Sequence, residues 1–193
     1  MEKQQLVDFI RNHVSSSEEN LKRITEEFEE VRFAKNDYFL TEGKVCNYYL
    51  FLEEGFMRSF TIDIEGNEVT TYFHSNNKVV FDVSSFFSKT PATENIQALT
   101  ESVGYLISHE KLNLLFHSMP EFREFGRAML VKEFSAFKQR TLALINKSAE
   151  ERYSNLIQSN KEIFQYAQLR YIASFLGITD TSLSRIRKSF SEK

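Results

Sequence analysis

Arg185, Arg187 and Lys188 fall within four residues of one another, and the partner such a cluster suits is a polyanion. They follow Thr179, Asp180, Thr181 and Ser182, whose hydroxyls and carboxylate can hydrogen-bond. Arg185 offers a planar fork of N–H groups that matches the O6 and N7 edge of guanine, a contact that discriminates between bases by about 1–3 kcal/mol. Arg187 and Lys188, with Thr179 and Ser182, suit phosphate oxygens, which position a protein on a duplex without reading it. Double-stranded DNA fits this set. Other chemistry has little support. We find no nucleophile–base pair, glycine-rich phosphate loop or paired acids in a recognisable motif, so an enzyme is not expected. His13, His74, His109 and His117 lack metal-ligand spacing, and the one cysteine, Cys46, has no partner for a disulfide; neither metal nor cofactor is expected.

Side chains can read a groove only when a scaffold presents them, and the stretch Gln168–Ser189 has the makings of a helix-turn-helix. A small residue, Ala173, stands where a first helix would cross a second. Gly177, four positions on, tolerates the positive φ of a tight turn. Thr179 can cap the next helix. Leu183 and Ile186 are spaced for its inner face, opposite Ile172 and Leu176 of the first helix. The plain alternative is a helical hairpin with a solvated basic face, which does not require this full set of offsets.

Upstream, three zones follow one another. In Met1 to about Glu30, Leu6, Phe9, Ile10 and Val14 share a helical face. Ser16-Ser17-Glu18-Glu19 then starts a second helix carrying Leu21, Ile24 and Phe28. From about Val31 to Ser108, aromatic and β-branched runs at Tyr48–Leu52, Phe56–Ile62, Val69–Phe73 and Val103–Ile107 read as short strands. Turn signals at Glu42-Gly43, Glu54-Gly55 and Glu65-Gly66-Asn67 separate them, the last a hairpin candidate. Such spacing predicts an antiparallel roll or barrel. Pro120 then opens a long helix to about Lys147, in which Leu130, Phe134, Phe137, Thr141 and Leu144 form a seam stepping by four and three. That seam reads either as a face packed on its own domain or as a dimerisation surface. Phe122, Phe125 and Met129, on a second face, can serve the domain, which favours dimerisation. Ser148-Ala-Glu-Glu151 is a capping box for a further helix through Tyr153, Leu156 and Ile157. The expected divisions are residues 1–119 for the sensor domain, 120–147 for the long helix and 148–193 for the helix-turn-helix domain.

Charge supports this division. From Glu121 onward 13 Lys/Arg stand against 8 Asp/Glu, whereas the preceding part holds 11 against 19. No apolar run is long enough for a membrane span, the start lacks a secretory pattern, and a single cysteine fits a reducing cytoplasm.

With Ala173…Gly177-Ile-Thr…Leu183-Ser-Arg185-Ile behind strand-rich and long-helix zones, nearly the whole chain resembles the cyclic-AMP receptor protein/Fnr (Crp/Fnr) family of bacterial regulators. The wording Gly-Ile-Thr…Leu-Ser-Arg-Ile-Arg resembles its Bacteroidetes-like branch. The resemblance implies an α+β chain with a cyclic-nucleotide-binding-type antiparallel β-roll, a central dimerisation helix and a C-terminal winged helix-turn-helix. It implies a cytoplasmic homodimer on near-palindromic DNA, with RNA polymerase a further partner of many members. The effector pocket would fall on Phe81, Asp82, Val83, Phe86, Phe87 and Thr93, although the three phenylalanines could equally be core filler. Two departures bear on ligand and operator. Nucleotide-binding members carry Gly-Glu-Leu and a later Arg-Ser or Arg-Ala; here the glycine is missing, and no arginine lies between Arg58 and Arg123. A cyclic phosphate would meet Asp82 and Glu94, so cyclic AMP is not the expected effector. Thr181 replaces an acidic residue common in relatives, so the half-site is not predicted. This replacement and the overall negative charge leave a second reading, a ligand-sensing or protein-interaction module that has lost specific DNA binding. Cys46 alone cannot hold the iron–sulfur cluster of oxygen-sensing members.

Overall fold

The structure, a computed structural model, describes residues 3–14 and 16–191; of the expected spans, residues 1, 2, 15, 192 and 193 lie outside the described residues. Helix α1 (Gln4–Arg11) turns Leu6 and Ile10 inward. In α2 (Glu18–Glu26) the Ser17 hydroxyl accepts from the Asn20 N–H at 3.2 Å, closing the first turn. Leu6, Ile10, Val14, Leu21, Ile24 and Phe28 from this segment all enter the main core.

Eight strands follow: β1 (Glu29–Phe33), β2 (Tyr38–Leu40), β3 (Tyr48–Glu54), β4 (Met57–Ile62), β5 (Glu68–His74), β6 (Lys78–Val80), β7 (Asn95–Ala98) and β8 (Ser102–Ser108). A short helix, α3 (Val83–Ser88), separates β6 from β7. The strands form two antiparallel four-stranded sheets in the orders β1-β8-β3-β6 and β2-β7-β4-β5. The four expected runs lie in β3, β4, β5 and β8, and the expected hairpin joins β4 to β5 with Gly66 at φ 87°. The short strands β1, β2, β6 and β7 carry no comparable signal; they exist through pairings such as Glu29↔Leu106 and Tyr38↔Gln97. Leu50, Phe51, Leu52, Met57, Val80 and Ile96 all belong to the main core, Phe51 on the opposite face of β3 from its neighbours and 4.8 Å from Phe9.

After α4 (His109–Ser118), which the sequence did not suggest, Pro120 opens α5 (Pro120–Asn146), a helix of 27 residues. Phe122 and Phe125 are buried against the roll and Met129 is partly so. Beyond them the seam is open: Leu130 is 39 %, Phe134 69 %, Phe137 62 % and Leu144 41 % exposed, and Thr141, also exposed, donates its hydroxyl to the Phe137 carbonyl. The other side of this stretch meets the roll through polar groups. The Tyr72 hydroxyl donates to Glu133 at 3.0 Å, and Arg140 faces Glu94 and Tyr72. Burial of the Tyr72 hydroxyl, with Glu133 beside it, raises its pKa.

Ser148 and Glu151 form the anticipated capping box at the start of α6 (Ala149–Ser159), with the Ser148 N–H donating to Glu151 at 2.7 Å and the Glu151 N–H donating to the Ser148 hydroxyl at 3.2 Å. The bond from the Ser148 N–H, above all, holds the Glu151 carboxyl below its usual range. Helices α7 (Ile163–Tyr166), α8 (Leu169–Phe175) and α9 (Asp180–Ser191) complete the described chain. Among the described residues beyond Ser108 there is no strand, and therefore no wing. No helix among the described residues is long and apolar enough to cross a membrane.

The C-terminal helices share a core with the roll. Phe56, Phe73 and Leu99 join Tyr153, Leu156, Ile163, Tyr171, Ile172, Ala173, Leu176, Leu183 and Ile186 in one buried cluster. Helix α8 covers β5, the edge strand of its sheet, and the Thr70 N–H donates to the Ser174 hydroxyl across the contact at 3.1 Å. An otherwise unpaired strand edge is thus closed. Arg140 of α5 and Arg152 of α6 donate to the carbonyls of Phe175 and Leu176, each at 3.0 Å, satisfying the C-terminal end of α8.

Candidate nucleic-acid interface

The candidate surface starts from α8. Ile172 and Ala173 are buried, and the small Ala173 side chain lets α9 cross close by. The chain then turns at Gly177, at φ 65°, a value that costs a residue with a Cβ about 1–2 kcal/mol. The Ile178 N–H reaches back to the Ala173 carbonyl at 3.0 Å. Thr179 caps α9, its hydroxyl accepting from the Ser182 N–H at 3.2 Å. Leu183 and Ile186 are buried on the inner side of α9, as their spacing requires.

The opposite side faces water. Thr179, Asp180, Thr181, Arg185, Arg187 and Lys188 are exposed, and Ser182 is half-buried, its hydroxyl 3.0 Å from that of Thr179. Asp180 lies in the first turn of α9 and Lys188 in the last, the favourable sense for the helix dipole. The predicted reading residues are therefore brought together on one helix face. Arg170 lies near their N-terminal end, on α8, and nothing in its spacing singles it out. From the first turn of α8 it donates to the Tyr171 hydroxyl at 2.9 Å, an interaction that raises its pKa further. Arg170, Thr179 and Asp180 border an open groove whose far wall is the β4–β5 hairpin, with Asp63, Asn67 and Glu68. The Asn67 N–H, above all, holds the Asp63 carboxyl below its usual range, so that wall is negative.

The expected effector residues are more dispersed. Phe86 is fully buried and stacks among Tyr49, Phe81, Phe87 and His109. Asp82 caps α3, accepting from the Ser85 N–H at 2.8 Å. Val83 and Phe87 lie exposed on α3, and the Thr93 carbonyl accepts from the Thr61 hydroxyl at 3.2 Å. Polar groups collect instead between β4, β5 and α5: His74 with Ser59 at 2.9 Å, Tyr72 with Glu133, and Glu94 near Thr71 and Arg140. Burial raises the pKa of Glu94 and depresses that of His74 to about 4. Sequence spacing carries no mark of this collection, because its members come from β4, β5, α5 and the loop before β7. Among the described residues no three His, Cys, Asp or Glu side chains are grouped to hold a metal ion.

Comparison with known proteins follows the same outline. Residues 30–118 match the model of the cyclic nucleotide-binding domain. A sequence comparison with curated proteins finds no match. Among solved structures, FixK2 from Bradyrhizobium japonicum superimposes with a TM-score of 0.74 at 18 % identity, over 86 % of this chain and 85 % of that one. The c-di-GMP-responsive global regulator CLP from Xanthomonas campestris gives 0.71 at 13 % identity, over 91 % and 92 %. A structure assigned to the crp/fnr family of transcriptional regulators, from Eubacterium rectale, gives 0.73 at 16 % identity, over 95 % and 88 %. At such identities the likeness speaks of the fold alone. The roll is therefore a domain of the cyclic nucleotide-binding type at residues 30–118, and the chain as a whole has the fold of the Crp/Fnr-type regulators on which it superimposes.

Proposed function

We propose that the chain is a DNA-binding transcription regulator that works as a homodimer on a near-palindromic site, with α9 as the recognition helix. The observation that carries this reading is the division of α9 into a buried side, Leu183 and Ile186, and an exposed side bearing Arg185 among hydroxyl and cationic groups. Arg185 reads a guanine edge; Thr179, Ser182, Arg187 and Lys188 hold phosphates; Asp180 and Thr181 face the bases beside it. The exposed seam Leu130, Phe134, Phe137, Thr141 and Leu144 pairs the long helices of two copies. That pairing sets two recognition helices about 34 Å apart, one turn of B-DNA. Cyclic AMP is not the effector expected for the roll, because the stretch where the resemblance puts the cyclic phosphate carries Asp82 and Glu94 and no arginine.

Selection from a random duplex pool, followed by fluorescence anisotropy at two salt concentrations, tests the reading. Arg185→Ala should lose about 10- to 100-fold in affinity for the selected site while salt-sensitive, unspecific binding remains. A variant that protects the same sequence with unchanged affinity would show that α9 is not the recognition helix.

A further inference from the structure

Among the described residues Arg58 is the largest side chain that the fold buries completely, and it lies where the roll meets α8. Its guanidinium carbon sits 4.0 Å from the ring centre of Phe60, on its own strand β4, and 3.5 Å from that of Tyr171, on α8. One nitrogen, Nη2, donates to Glu68 at 2.5 Å and to Gln97 at 3.2 Å. The other two, Nε and Nη1, find no hydrogen-bond partner among the described residues. Around this charge the contact is aromatic: Phe73 against Phe175 at 5.1 Å, and Phe56 against Tyr166 at 5.5 Å.

An apolar contact of this kind, once formed, gives up its surface to water at a high cost. A buried guanidinium acts the other way. It has lost hydration on three nitrogens and regained hydrogen bonds on one, and the two rings return only part of the difference. Separation would restore every donor to water, while Glu68, already 39 % exposed, stays solvated throughout. The remaining polar contacts across the joint, Thr70 N–H to Ser174 and Arg140 to the Phe175 carbonyl, can likewise be replaced by water. A methionine would fill the same space without the orphaned donors, so the arginine weakens a joint that its neighbours make tight.

We propose that Arg58 is the release point of the joint between the roll and the helix-turn-helix, a built-in device that lets the C-terminal helices leave the roll without the roll unfolding. Its regulatory meaning rests on the DNA-binding reading above; the joint itself does not. Residue-resolved hydrogen exchange reads it directly, because the Thr70 amide is bonded across the joint whereas Leu50 lies in the central strand β3 of the roll. In Arg58→Met, exchange at Thr70 should slow about tenfold and exchange at Leu50 stay as it was; in Glu68→Gln, exchange at Thr70 should quicken about tenfold, again without change at Leu50. Opposite signs in the two variants separate a release point from an ordinary structural contact, whose removal would quicken Thr70 in both. Faster exchange at Thr70 in Arg58→Met, or equal changes at Thr70 and Leu50, overturns the proposal. Should Arg58→Met fail to fold, Arg58→Leu, which removes the same donors, takes its place: slower exchange at Thr70 is expected, and faster exchange overturns the proposal. DNA is absent from this assay, so its failure and a failure of DNA binding are told apart.

Discussion

Replacing Phe134 by glutamate should take the proposed dimer apart while each protomer stays folded. A phenylalanine in a core buries about 200 Å². With Phe134 69 % exposed, about 140 Å² of it per protomer is open to a partner. At about 25 cal/mol per Å² the two copies together would stabilise a dimer by up to about 7 kcal/mol. If incomplete burial halves that, about 3.5 kcal/mol remains, equivalent to roughly 300-fold in the dissociation constant. Two glutamates facing each other across the seam add repulsion on top. The folding of the protomer should be spared, because α5 is anchored by Phe122 and Phe125 on another side and Phe134 contributes little to that core. Sedimentation velocity at micromolar concentration should show the wild type as a dimer and Phe134→Glu as a monomer, with an unchanged far-ultraviolet circular dichroism spectrum. A variant that still sediments as the wild-type dimer, or a wild type that is itself monomeric, refutes the assignment of this seam.

Acid should weaken the roll through His74. Its folded pKa lies near 4, below the usual value of about 6.5, so below pH 6.5 the unfolded chain takes up the proton that the folded one refuses. The stability this residue confers is complete above pH 6.5 and falls by up to about 3 kcal/mol as the pH drops towards 4; urea titrations across that range should show the loss, and His74→Gln should flatten it. Phe73→Ala removes a ring lying 5.8 Å from Phe56 and 5.1 Å from Phe175, and should cost about 3–4 kcal/mol by denaturant unfolding. Ser148→Ala removes the hydroxyl that accepts from the Glu151 N–H, leaving the bond from the Ser148 N–H to Glu151, and should cost about 1 kcal/mol in the same assay; a loss below the error of measurement would mean that α6 does not depend on its cap.

Features whose determinants lie within one turn of helix or one hairpin were legible in the sequence. Ser148 with Glu151, Ser17 ahead of α2 and Thr179 ahead of α9 announce helix starts because a cap needs only the next three residues. Helix α4 was missed, although Ser108 caps it through the Lys111 N–H at 3.3 Å, because the strand β8 runs into it without a turn residue. The exposed face of α9 was legible too, since the positions of Leu183 and Ile186 leave Arg185 only the outward direction. The polar collection beside α5 was not. Asp82 is occupied as a cap and Phe86 is packed among rings, while Ser59, Tyr72, His74, Glu94 and Arg140 meet only across strand pairings and the long helix.

By itself, then, the sequence determined the helix-turn-helix scaffold, the roll's central strands, the long helix and its apolar seam, because caps, a glycine turn and residue periodicity act over a few positions. The partners of β1, β2, β6 and β7, and the seating of α8 on the edge of β5, were decided only by the tertiary structure. So was the fate of Arg58, by type a surface residue, which lies in the interior because Tyr171, more than a hundred positions away, closes over it. Such contacts depend on which distant surfaces are brought face to face, and no local pattern of residues encodes that.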